Sequence, residues 1–244
     1  MMSSEFLKNW FLPGVWITVQ VTFLSAALAF VIAFPIGVLR TNRLWIVRFL
    51  AGAYFEIFRS TSSLVFMFWI AFTVPPVFNI SFQPMFAGIL ALGITYGAYA
   101  SEIVRGALAA VPPAQREAGI ALNFTPAQRL RRIELPQAWP EMIPPFNNLL
   151  IELLKGTSLV SLIAVADMTF AGDLLRLVKN ESAPIYTLLL ALYFVLAFVL
   201  TRAMRVLERH AKKRVGQAPE KTGLFGGLRS KSSIDVITGS GAAK

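Results

Sequence analysis

Apolar residues run along this chain for longer than any soluble helix or strand requires. No charged side chain occurs from Gly14 to Leu39, nor from Ser62 to Phe78. Further stretches from Phe86 to Ala110, Pro145 to Ala166 and Pro184 to Met204 are nearly as poor in charge. A helix rises about 1.5 Å per residue, so about 20 apolar residues cross a bilayer's hydrocarbon core. The pattern predicts an all-α, polytopic membrane bundle of about five transmembrane helices. Trp45 to Phe58 is apolar but carries Arg48 and Glu56. It reads as an interfacial segment or an early part of the second span.

Charge changes the picture by fixing direction. Arg40, Arg43 and Arg48 follow the first span, and Arg105, Arg116, Arg129, Arg131 and Arg132 lie between the third and fourth. Arg202, Arg205, Arg209, Lys212, Lys213 and Arg214 follow the fifth. The opposite side offers Lys8, nothing from Thr73 to Met85, then Arg176 and Lys179. Cytoplasmic loops collect Lys and Arg, so the expected topology is N-terminus outside and C-terminus cytoplasmic. Five spans require opposite ends, and the two readings agree.

Composition excludes several classes. The chain is 56% hydrophobic, with a mean hydropathy of +0.62. Its net charge of +10 sits at span ends and in the tail, which fits topology and membrane lipid rather than nucleic acid. There is no cysteine, hence no disulfide or thiolate metal site. Met1 to Trp10 lacks a basic region followed by a cleavable apolar core, so no signal peptide is expected. From residue 215 to 244 the chain is rich in Gly, Ser, Lys and Ala without periodicity, which predicts a disordered cytoplasmic tail after a transmembrane domain spanning 1–214.

The segment from Val111 to Pro144 is long for a connector. Pro112 and Pro113 stop the third span. Ala114 to Asn123 then reads as a short helix ending at Asn123, a residue that tolerates left-handed geometry. Thr125-Pro126 opens a second helix, with Thr as N-cap and Pro in the first turn. The reading is helix, sharp turn, helix.

Within it, Glu117-Ala118-Gly119, Asn123 and Ile133-Glu134-Leu135-Pro136 resemble the EAA loop of binding-protein-dependent ABC importer permeases. Gly119 stands for the second Ala of that pattern and Asn123 for its Gly. The flanks Tyr99 to Ala107 and Leu153-Leu154-Lys155-Gly156-Thr157-Ser158-Leu159, with Glu56 to Leu64 upstream, resemble polar amino acid permeases of the histidine and glutamine uptake type. The upstream segment departs from that family's Glu-x-Phe-Arg-Gly-Thr-Pro-Leu at Ser60, Ser62 and one extra residue before Leu64. The resemblance covers about residues 14 to 210.

The resemblance implies a type I ABC importer permease in a bacterial inner membrane. Its partners would be an ATP-binding-cassette ATPase dimer, a second permease chain (the same or a sister) and a periplasmic or lipid-anchored solute-binding protein. It implies that Glu117, Ala118, Gly119, Asn123, Ile133, Leu135 and Pro136, in a cytoplasmic loop of about 111–140, couple the chain to that ATPase. The substrate would be a polar amino acid, or an opine or compatible solute such as ectoine. The chain has no Gly-x-x-x-x-Gly-Lys-[Ser/Thr] run and so cannot cradle ATP itself. No cofactor is expected in this chain; ATP and Mg would bind the partner. Its one histidine, His210, lies in the basic tail, and no catalytic group is expected. An ion-coupled secondary transporter or a membrane scaffold is the alternative, although no internal repeat supports the former.

Ionisable groups inside spans are candidates by default. Glu102 has Arg105 three residues on, which favours a structural pair. Glu152 has Lys155 at the same spacing, and pairing competes evenly with a role facing substrate. Thr157 and Ser158 after Gly156, and Arg59, Ser60 and Thr61 before the second span, supply hydroxyls and charge at membrane depth. They read as cavity lining or as interhelical packing.

Overall fold

The computed structural model describes residues 11–214, and the tail from residue 215 lies outside them. Helix α1 (Leu12–Leu39) is the first span. Helices α2 (Trp45–Ser60) and α3 (Ser63–Phe78) meet at 98°, because Thr61 between them is extended. Helix α4 (Pro84–Ala109) is the third span, and α5 (Pro113–Ala121) is short. Helix α6 (Pro126–Ile163) is one long element. It starts as α-helix, passes through a π turn at Leu130–Glu134, and tightens to 3-10 geometry from Thr157. Helix α7 (Met168–Lys179) and helix α8 (Ala183–Arg214) complete the described residues. Among the described residues four helices are long and apolar enough to span, and counting the bent pair α2–α3 as one makes five.

One expectation needs correction. The second helix of the loop, which opens at Thr125-Pro126 as the sequence indicates, does not end before the fourth span. Helical backbone runs from Leu135 through Pro140, Pro144 and Pro145, so the last part of the expected 111–140 loop belongs to α6. Membrane helices tolerate such prolines because neighbouring groups satisfy the carbonyls they free. The segment between the fourth and fifth spans, to which the sequence reading assigned no element, forms α7, started by Asp167, whose Oδ1 accepts from the Phe170 N–H at 2.9 Å as an N-cap should.

The seam between α1 and α4 is built largely from small residues. The buried face of α1 is Gly14, Thr18, Val21, Thr22, Ser25, Ala29, Ala33 and Gly37, repeating every three to four positions. It lies on Ala91, Gly93, Gly97, Ala98, Ser101 and Val104 of α4, all buried. A Cβ at Gly37 would stand 2.6 Å from the Val104 Cβ and 2.8 Å from the Ser101 carbonyl oxygen. One at Gly93 would stand 2.5 Å from Leu28. Lipid tails are as apolar as leucine, so close backbone approach, not hydrophobicity, drives this packing.

Candidate coupling loop and membrane path

The loop between α4 and α6 is fixed by local chemistry. Asn123 takes left-handed geometry at φ 56°. The Phe124 N–H donates to the Gly119 carbonyl at 3.0 Å and the Asn123 N–H to that of Ile120 at 2.9 Å. This is a Schellman cap, closing carbonyls that the end of α5 leaves open. Thr125 then forms a reciprocal capping box with Gln128: the Gln128 N–H donates to Thr125 Oγ1 at 3.3 Å and the Thr125 N–H to Gln128 Oε1 at 2.9 Å. Two helix ends are thereby satisfied within three residues.

The two helices touch through Gly119. It is buried, and a Cβ there would sit 3.0 Å from Arg129 and from Ile133 of α6. A glycine where the EAA pattern has alanine brings α5 closer to α6. Arg116 ties the unit to the bundle. Its Nη2 donates to the Leu108 carbonyl of α4 at 2.6 Å, and its Nε lies 3.7 Å from Glu134 of α6. Gln137 Nε2 donates to Gln115 Oε1 at 3.2 Å. A push on α5 therefore reaches two spans through direct bonds. Ile133 and Leu135 are half-buried supports, while Asn123 and Pro136 are exposed.

The outward side of the unit carries Glu117 and Ala118, both exposed, together with Ile120 at 53% and Leu122 at 65% exposure. The motif reading missed the last two and Arg116. Ile120 was within reach, since it stands one turn after Glu117 on the same face.

The membrane candidates do not converge on one site in the single chain. Glu102 receives the Arg105 Nε–H at 3.0 Å, as expected, and also Arg40 from the end of α1 at 2.6 Å. It is a three-residue clamp joining α1 to α4. Arg59 lies 3.7 Å from Glu56, and its carbonyl accepts from the Tyr99 hydroxyl at 3.4 Å. Thr61 Oγ1 donates to the Ile57 carbonyl at 2.7 Å. Arg59, Ser60 and Thr61 thus form the corner between α2 and α3. Thr157 is buried and donates to Leu154, whereas Ser158 is partly exposed and donates to Lys155.

Glu152 behaves differently. It makes no ion pair with Lys155 among the described residues, and both side chains are exposed. They belong to a stripe on α6 comprising Glu141, Pro144, Asn148, Glu152 and Lys155, spaced by three or four residues and all exposed. That spacing is one helix face, and three of its five members carry charge. Charged groups at span depth face protein or water, not lipid. Tyr96 steadies the helix at this point by donating to the Glu152 carbonyl at 3.2 Å, beside the space that Gly156 leaves open. No cluster of three His, Cys, Asp or Glu side chains suited to a metal occurs among the described residues.

Residues 27–213 match the family model of the binding-protein-dependent transport system inner membrane component. The chain belongs to that permease family. It is 45% identical to a probable amino-acid ABC transporter permease, y4tF, of Sinorhizobium fredii over 200 residues, 80% of this chain and 84% of that one. It is 32% identical to the glutamine transport permease GlnP of Escherichia coli, over 82% of this chain and 92% of the other. A crystal structure of an amino acid ABC transporter with histidines superposes with a TM-score of 0.77 at 29% identity, covering 86% of this chain and 97% of that one. Membership sets aside the secondary transporter and the scaffold. The permease is a multi-pass inner-membrane protein whose helix-turn-helix unit is where its sequence resembles the EAA loop.

Proposed function

We propose that this permease forms the translocation path for a polar amino acid or a related zwitterion, received from an external solute-binding protein and driven by an ATPase dimer docked on α5. The observation that carries the reading is the bracing of α5 to α4 and α6 with Glu117, Ile120 and Leu122 left facing outward. A rigid helix with an acidic and apolar outer face fits a groove in a partner and transmits its motion. The arginine-rich ends of the spans support a cytoplasmic location for this unit, with the C-terminus on the same side.

The stripe on α6 would line the path at the seam with a second permease chain, the same or a sister. Glu152 is positioned for a substrate ammonium and Lys155 for a carboxylate, and in a partly desolvated passage both attractions exceed their value in water. The amino acid class rests on the named relatives, one of which is a glutamine permease.

The test is affinity purification of the tagged chain from the inner membrane, followed by reconstitution with its partners. An ATPase should co-purify in amounts matching the permease, and uptake should require ATP and the binding protein. Uptake driven by an ion gradient without the ATPase would refute the reading.

A further inference from the structure

We propose that the cleft between the end of α1 and the first half of α2 binds the headgroup of an anionic phospholipid. The cleft measures about 480 Å³ and is lined by Arg40, Trp45, Arg48, Phe49, Gly52, Ala53 and Glu56. That is the size of a small-ligand site.

Its charge favours an anion. The Arg40 guanidinium lies 4.1 Å over the Phe55 ring and against Glu102, so it is held in place before any ligand arrives. Arg105 shares the same carboxylate, which leaves two guanidinium charges on one acid. Arg48 is exposed and makes no ion pair among the described residues, and the same holds for Arg43 in the turn between α1 and α2. Glu56, the one acid in the lining, has Arg59 at 3.7 Å. The local balance is positive.

Its surroundings favour a lipid over a free anion. The cleft opens at the end of a membrane span, where headgroups lie. Trp45 and Phe49 stack with centroids 5.4 Å apart, and Leu44, Ile46 and Leu50 beside them are exposed. Guanidinium groups above an amphipathic helix with an interfacial tryptophan suit a phosphate with acyl chains below it. In the topology proposed above this is the cytoplasmic leaflet, whose anionic lipids attract juxtamembrane cations.

Gly52 provides a test that leaves every charge in place, because a Cβ there meets no atom within 4 Å. Gly52→Leu should fill the cleft, and Arg48→Gln should remove an anchoring charge. Arg205→Gln, a change at an exposed arginine on α8, is the control. The purified complex with its ATPase would be titrated with phosphatidylglycerol, with phosphatidylcholine and with inorganic phosphate, and bound molecules counted by native mass spectrometry. The expected result is a tight phosphatidylglycerol that is about tenfold weaker in both cleft variants and unchanged in the control. Equal affinity in all variants, equal binding of phosphatidylcholine, or displacement by inorganic phosphate alone would overturn the proposal. The chain has no cysteine, so Trp45→Cys is a clean probe. A disulfide joining two permease copies through it would also overturn the proposal, by showing the cleft covered by protein.

Discussion

Helices α4 and α8 are both apolar spans, yet they sit in opposite environments. In the most apolar stretch of α4 67% of residues are buried, against 11% in that of α8. The more buried helix is the less hydrophobic. Most of its inward positions are Gly, Ala, Ser and Thr, which let α1 approach and leave room for Leu92, Tyr96, Val104 and Leu108 among them, whereas α8 presents Leu190, Phe194, Val195, Phe198 and Val199 outward. At the α1–α4 seam closeness of backbones makes the core, whereas on α8 large apolar side chains mark the surface left for lipid or another chain.

The largest effect should come from filling the α1–α4 seam. Gly37→Ala forces a Cβ against a backbone carbonyl and should cost about 1–3 kcal/mol, the usual range for overpacking. Gly37→Leu should abolish recovery of folded protein, read as the monodisperse fraction after solubilisation. A well-folded Gly37→Leu protein would break the comparison.

The next effect falls on function and sharpens the role of surface charge. Glu152→Gln should lower substrate transport at least severalfold, with yield and basal ATP hydrolysis unchanged, because the carboxylate supports no internal ion pair. Lys155→Met should also fold normally. Equal loss of thermal stability in both variants, with uptake per folded complex intact, would return the two to scaffold.

Asp167 offers a pH-dependent effect at the end of the bundle opposite α5. Its carboxyl is buried beside α1, where the Met168 N–H donates to Thr18 Oγ1 at 3.1 Å. Burial pushes it up to about 6, and nearby Asp173 adds to the rise. The folded state therefore holds this proton at pH values where the unfolded chain has released it. The stability it contributes is present below the ordinary carboxylate range and is lost as pH rises to about 6. The shift corresponds to roughly 3 kcal/mol. Asp167→Asn keeps the cap and should flatten the fall in melting temperature across that window. An unchanged slope would contradict the assignment.

The smallest effect belongs to α8. Leu190→Ala, at 71% exposure, should change the stability of the isolated chain by less than about 0.5 kcal/mol.

The parts of this architecture legible in the sequence are those set by neighbours along the chain. Thr125-Pro126 and Asn123 announce caps that need only adjacent residues, and the helix-turn-helix follows. Glu102 with Arg105 is likewise local. Arg40 on Glu102 joins distant segments and leaves no local trace. Helix α7 was missed although Asp167 is an ordinary N-cap, because its residues are too polar to register beside the spans. The continuity of α6 from Pro126 through the fourth span was missed because Pro140, Pro144 and Pro145 read as breakers, a rule that membrane helices relax. The exposure of Glu152 and Lys155 depends on what α6 packs against, which spacing does not encode.

The central claim is that α5 couples a partner's ATP use to the spans. It is tested most directly by Glu117→Lys in the reconstituted complex, which reverses an exposed charge and touches no span. The expected result is normal insertion and yield, with ATP-driven uptake reduced at least tenfold through lost ATPase docking or lost coupling. Wild-type uptake by a fully expressed Glu117→Lys complex would show that the segment between α4 and α6 is only a connector.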